Sequence, residues 1–219
     1  MQQSFHTVLT TIMLNADSSS KGMTKAHRTR AQILDVAQRD ASILGIDALT
    51  IGGLAKSCGL SKSGLNAHFG SKEALQLAVI DEAAMRFRSE VAEPALAAPP
   101  GRARLLAIME HWIAWSQHPS RPGGCQLISA AFDFDGLQGV VRDSLNAWIT
   151  QWRNGSKVSV SEANAVDNLK LEPEHTATLA FGTYMAQHIE WHLMKDETAP
   201  KRAMESWRDA VSHQRNAAS

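Results

Sequence analysis

From Thr50 to Leu75 the chain reads TIGGLAKSCGLSKSGLNAHFGSKEAL, and this stretch restricts the possible folds more than any other. Gly59, between Cys58 and Leu60, supplies the positive φ that ends one short helix, and Ser61 caps the next by accepting from an exposed amide. Helices this short do not persist alone in water, so the pair must share a core. Leu54, Ala55 and Cys58 make an apolar stripe on the first, and Leu60, Leu65 and Phe69 give the second its inward face. A third helix opens at Ser71. The pattern is a helix-turn-helix, with Lys62, Ser63, Gly64, Asn66 and His68 left facing outward or toward the flank. A short capped helix with a small, polar, basic-tipped outer face fits a major groove; a bulkier acidic face would not. Thr50 and Ser71 are caps whose neighbouring free amides suit phosphate oxygens, and Lys72 adds charge beside the second. Gly52 and Gly53, poor helix formers in a first turn, let a sugar-phosphate backbone come close.

Charge supports the same reading. The 219 residues carry no formal net charge, but from Lys21 to Lys72 eight Lys or Arg face three Asp, a net of +5. Residues 1–20 hold only Asp17, so residues 73–219 net −4. The basic segment is the one with the helix-turn-helix, as a phosphate-binding footprint requires. Two cysteines, Cys58 and Cys125, are too few for a disulfide framework and suit a reducing cytoplasm. No run approaches the roughly 18 to 20 apolar residues of a membrane span, so a soluble, cytoplasmic protein without membrane contact is expected.

Phe5 to Leu14 is mildly apolar but lacks a basic leader and a small-residue cleavage site, which argues against a signal peptide. Residues 17–22 read as a flexible linker. Two readings of this end stand together: translation starting at Met23, and a basic arm from Lys21 to Arg30 reaching along the minor groove. Ile33, Leu34, Ala37, Ala41 and Leu44 predict a helix from about Thr29 to Leu44, ended by Gly45. A fourth helix is predicted from Lys72 to about Val91, with Leu75, Val79, Ala83 and Phe87 as its buried ridge, stopping before Pro94. Residues 97–101, AAPPG, are the clearest break in the chain.

Beyond the break, Ala103 to Gln117 is helical and aromatic on one side, and Leu137 to Arg153 carries Val141, Leu145, Trp148 and Trp152 on one face. Tryptophans on several helices can be core, but their clustering with His111 and two phenylalanines is also what an aromatic-walled pocket needs. The candidate pocket residues are His111, Trp112, Trp115, Phe132, Trp148, Trp152, Tyr184 and His188. Cys125 reads as a small buried residue rather than a redox sensor, having no nearby Lys, His or second Cys. Residues 154–171 admit either a break followed by a short helix or a continued, kinked helix. A long helix opens at Glu172-Pro173 and runs to about Lys195; a last one spans Pro200 to about Val211. The first of these is apolar over a wide arc, so the two predict a four-helix homodimer interface. His188 and His192 stand four apart and could share a metal, but no third ligand follows and the order is not HExxH, so no metal site is expected.

The residues GLSKSGLNAHFGSKEAL, preceded by TIGGLAKSC and by the helix from Arg30 to Gly45, resemble the DNA-binding domain of the TetR family of transcriptional regulators, over about Lys25 to Phe87. The resemblance implies phosphate contacts for Thr50, His68 and Lys72 and groove contacts for Lys62, Ser63 and Gly64. Asn66 stands where the family usually has a phosphate-gripping tyrosine, Ala41 where a phenylalanine fills the core, and Gly52 where some members carry a base-reading arginine. It implies an all-α protein: a flexible extension (1–24), a three-helix DNA-binding domain (25–87), and a larger helical domain for effector binding and dimerisation (88–219). The implied function is a dimeric, ligand-responsive regulator of a palindromic double-stranded operator, most often a repressor, with a small-molecule effector in an aromatic pocket. The competing class is an all-helical enzyme or binding protein using the aromatic cavity. No Ser-His-Asp set, paired carboxylates or phosphate loop supports catalysis, so neither catalytic residues nor a cofactor are expected.

Overall fold

The computed structural model describes residues 25–212; the extension, the Met23 start and the first residues of the basic arm lie outside the described residues. The regular elements are all helical: α1 (Lys25–Leu44), α2 (Ile51–Ser57), α3 (Lys62–Phe69), α4 (Lys72–Phe87), a π-helical turn (Arg88–Ala92), α5 (Glu93–Ala97), α6 (Arg102–Gln117), α7 (Gln126–Asp133), α8 (Val140–Asp167), α9 (Pro173–His192) and α10 (Ala199–Ser212). They form two compact units: residues 25–86 with 117–148, and residues 87–116 with 149–212.

The first unit is built on α1, whose Ile33, Leu34, Ala37 and Ala41 are buried with Leu54, Leu65, Leu75 and Val79. Arg30 lies over the Phe69 ring, 5.0 Å from its centroid, and so clamps α1 to the end of α3. Inside this apolar core runs a line of amides. Gln38 donates to the Val79 carbonyl at 2.7 Å and accepts from Gln126 of α7, and Gln76 donates to the Ile46 carbonyl at 3.3 Å. The loop before α7 seats directly on α1: a Cβ on Gly123 would lie 1.7 Å from the Ser42 carbonyl oxygen. Residues 117–134 are therefore part of the same core as the three N-terminal helices.

The α2 to α3 turn follows its sequence reading, with one correction. Gly59 has φ +65°, and the amides of Gly59 and Leu60 bond to the carbonyls of Lys56 and Ala55 at 3.2 and 2.9 Å, a Schellman closure. Leu60 was expected on the inward face, yet it is 38 % exposed. Its backbone closes the turn outside either helix, which turns the side chain away from the core. Cys58 is half-buried, and burial, followed by the charge of Asp40, pushes its thiol up.

Several helix boundaries also differ from expectation, among them α1, which starts at Lys25 and not at Thr29, so that the described part of the expected basic arm is helical. The fourth helix does not stop before Pro94; it widens into the π-helical turn and continues as α5 with Pro94 in its first turn. A proline ring conflicts with the carbonyl four residues back, and a wider turn relieves that conflict without ending the helix. The break comes at Ala98, extended at ψ 146° ahead of Pro99. Residues 154–167 continue α8 unbroken, with Gly155 and Ser156 buried inside it. After α8, the Asn164 side chain donates to the Leu171 carbonyl at 2.7 Å and accepts from its amide at 3.0 Å, fixing the link to α9. Helix α9 ends at His192, short of Lys195, which adopts φ +58°.

In the second unit, Trp207 of α10 donates its indole N–H to the Leu105 carbonyl at 2.8 Å, and Arg104 pairs with Glu162 at 3.0 Å. The Glu172 carboxylate caps α9 by accepting from the amides of Glu174 and His175. No helix among the described residues is long and apolar enough to cross a membrane.

Candidate nucleic-acid interface and aromatic cluster

Three hydroxyls set the three helix starts of the helix-turn-helix. Thr50 accepts from Gly53, Ser61 from Gly64, and Ser71 from Ala74, each at 3.0 Å. Capping fixes each first turn while leaving other amides of that turn unbonded within the helix. The glycines divide by role. A Cβ at Gly53 or Gly64 would sit 3.0 or 3.1 Å from the capping hydroxyl, whereas one at Gly52 meets nothing within 4 Å. Gly53 and Gly64 accommodate caps; Gly52 leaves open space at the surface.

On α3, Lys62, Ser63, Gly64 and Asn66 are exposed, and His68 is half-buried beside Phe69, ring centroids 6.4 Å apart. The Ser63 hydroxyl is tied to that of Ser61 at 3.1 Å. Lys72, expected at a phosphate, instead holds Asp47 at 3.0 Å, and Gln76 donates to the same carboxylate oxygen at 3.3 Å. A phosphate reaching Lys72 must therefore compete with a carboxylate already on it. The sequence reading did not find Asp47, because only the folded turn between α1 and α2 brings it to Lys72.

The candidate pocket residues separate into two groups. Trp112, Trp115, Trp152, Tyr184 and His188 come together in the second unit. The Trp112 ring stacks on Tyr184 at 4.2 Å and meets Trp152 edge-on at 5.4 Å, and His188 lies 6.1 Å from Tyr184 and 4.7 Å from His192. Phe87 and Phe181, which were not among the candidates, complete the cluster: Phe87 stands edge-on to Trp112, Trp115 and Trp152 at 6.1, 5.4 and 4.7 Å. Phe87 is the last residue of α4, and its place on that helix's buried ridge was the available sequence clue. Phe132 is a correction, being 60 % exposed at the end of α7 in the first unit. Trp148 is buried in that unit as well, and His111 is half-buried and enters none of these ring contacts.

Polar atoms border the rings. Gln187, buried, accepts from the Ser116 hydroxyl at 3.5 Å, while its amide nitrogen, the Trp112 indole N–H and His188 Nδ1 have no hydrogen-bond partner among the described residues. Burial and then neighbouring His192 lower the His188 pKa to about 4, so it is neutral at physiological pH. Among the described residues no three His, Cys, Asp or Glu could hold a metal ion together. An open surface depression of about 520 Å³, bordered by residues 135–139 with Arg142 and Asp143, includes none of the candidate residues.

Residues 33–79 match the family model described as "Bacterial regulatory proteins, tetR family", and residues 101–207 the one described as "Tetracyclin repressor-like, C-terminal domain". No curated protein matches the chain in sequence. Among solved structures, a TetR transcriptional regulator from Chloroflexus aurantiacus J-10-FL is similar with a TM-score of 0.78 at 22 % identity, covering 88 % of this chain and 98 % of that one. The MbdR regulator from Azoarcus sp. CIB gives 0.67 at 18 %, covering 85 % and 98 %. AibR in complex with isovaleryl coenzyme A and operator DNA gives 0.67 at 18 %, covering 84 % and 97 %. At these identities the likeness is one of fold.

Proposed function

The chain belongs to the TetR family of DNA-binding transcription regulators, and on that premise we propose that it is a repressor that grips a near-palindromic operator as a homodimer and releases it when a small-molecule effector binds. Residues 25–87 would read DNA, and residues 88–219 would hold the effector and the second copy. The observation that carries this reading is the helix-turn-helix itself: three capped helix starts in the basic segment, with Lys62, Ser63, Gly64 and Asn66 exposed on α3; in this reading Thr50, His68 and Lys72 would contact phosphates. The AibR structure, with operator DNA and an acyl coenzyme A, is a precedent for both kinds of partner on this fold.

Dimerisation is supported by α9. Leu179, Gly182, Ala186, Ile189 and Leu193 recur at intervals of three and four, all are exposed, and small residues in the middle let another helix approach closely. The outer positions of α10, including Lys201, Arg202, Glu205 and Arg208, are charged, so α9 carries most of the apolar seam. An effector site in the aromatic cluster is supported by the partnerless Trp112 and Gln187 donors, since buried polar groups without bonds are uncommon in native folds. A ligand that reorders these rings need supply only a few kcal/mol of differential affinity between two states.

The experiment is binding of the purified protein to DNA around its own gene, titrated against salt. Charged contacts set the salt dependence: Lys72 from two protomers neutralises two phosphates, for which log K falls with log salt at a slope of about −2, and the neutral Thr50 hydroxyl adds nothing to it. Saturable, sequence-specific binding with that slope, weakened by Lys62→Ala, supports the proposal; weak binding indifferent to sequence overturns it.

A further inference from the structure

We infer that Asn66 reads an adenine and Lys62 a guanine one or two base pairs away, so that each operator half-site carries both. The inference rests on the DNA-reading function proposed above and adds to it the bases that α3 selects.

Elimination among the side chains of α3 leaves two. Its outward polar side chains are Lys62, Ser63, Asn66 and, half-buried, His68. The Ser63 hydroxyl is held by Ser61, and His68 lies against Phe69. Among the described residues, the side chains of Lys62 and Asn66 engage no partner, so they reach a groove with their hydrogen-bonding capacity intact. Leu65 and Phe69 are buried and fix the rotation of the helix, which leaves Lys62 and Asn66, four residues apart, on one ridge.

Chemistry then assigns the bases. A phosphate offers only acceptors, so at a phosphate the Asn66 carbonyl would go unused. Adenine in the major groove offers an acceptor at N7 beside a donor at N6, complementary to both halves of a carboxamide. Lys62 donates only, which suits the O6 and N7 acceptors of guanine. Four residues of helix rise about 6 Å, and successive base pairs are about 3.4 Å apart, so the two contacts fall on base pairs one or two steps apart.

The test is selection from a random duplex library by the wild-type protein, by Asn66→Ala and by Lys62→Ala, followed by titration of the selected duplex with 7-deazaadenine at the assigned position. The expected result is a half-site with adenine one or two pairs from guanine. Changing that adenine weakens wild-type binding by about 10- to 100-fold, and 7-deazaadenine weakens it as well. In Asn66→Ala, adenine selection disappears while the guanine is kept; in Lys62→Ala the reverse holds. The inference is overturned if Asn66→Ala keeps the wild-type adenine preference, if it weakens all duplexes equally, or if 7-deazaadenine has no effect on the wild type. If the wild type enriches no sequence at all, the proposed function falls first and the inference with it. Far-ultraviolet circular dichroism of each variant separates loss of reading from loss of fold.

Discussion

Lys72 cannot serve Asp47 and a phosphate fully at once. The pair is exposed on both sides, and such pairs contribute only about 0.2 to 1 kcal/mol, so a phosphate can displace the carboxylate at small cost. Asp47 still places a negative charge beside Lys72, where the proposed phosphate contact would form. Asp47→Asn is therefore expected to tighten operator binding by roughly two- to fivefold in low salt, with the gain shrinking as salt screens the charge; titration at two ionic strengths checks it. His188 makes a different demand. Its pKa of about 4 lies below the ordinary 6.5, so between these values the unfolded chain takes up the proton more readily. The stability owed to neutral His188 is complete above pH 6.5 and is lost as pH falls toward 4. Allowing for its partial exposure, the loss is about 2 kcal/mol. Urea melts at pH 7 and 4.5 should show this slope in the wild type and a flatter one in His188→Gln.

At the scale of elements, the two glycines of α2 part company. Gly52→Ala meets no atom in the fold and adds helix propensity, so it should raise stability by up to about 1 kcal/mol while weakening DNA binding, because the methyl group occupies space left to the sugar-phosphate backbone. Thermal melts and operator titration on one preparation test both halves. Gly53→Ala crowds the Thr50 hydroxyl and should gain less. The caps of α2, α3 and α4 were legible in the sequence because capping is local: a hydroxyl and the amide three residues on are enough. The π-helical turn before Pro94 was not, and the run of α8 through Gly155 stood only as one of two alternatives, since surrounding packing overrides what proline and glycine prefer alone. The same limit governs the candidate sites. Exposure of Lys62 and Asn66 followed from helical spacing, whereas the displacement of Phe132 from the aromatic group and the entry of Phe87 depend on contacts between distant stretches.

The single chain leaves one apolar face uncovered. Ile189 on α9 and Leu193 just past its end are exposed apolar side chains, and the proposed dimer covers them. Ile189→Glu should leave the monomer folded, since the residue lies at the surface, but shift sedimentation to the monomeric mass and reduce operator affinity at least tenfold by uncoupling the two half-sites. A variant that remains dimeric would move the interface elsewhere. A last consequence comes from Gly123 lying on Ser42. Gln38 and Ser42 are buried, and their partners Gln126 and Gly123 stand more than eighty positions further along the chain. During synthesis the nascent α1 leaves the ribosome with this flank bare, and at about 5 to 20 residues per second it waits several seconds for its cover. For that interval the flank of α1 stays open to water, and a codon change that slows translation between 43 and 123 would lengthen its exposure without altering a single amino acid.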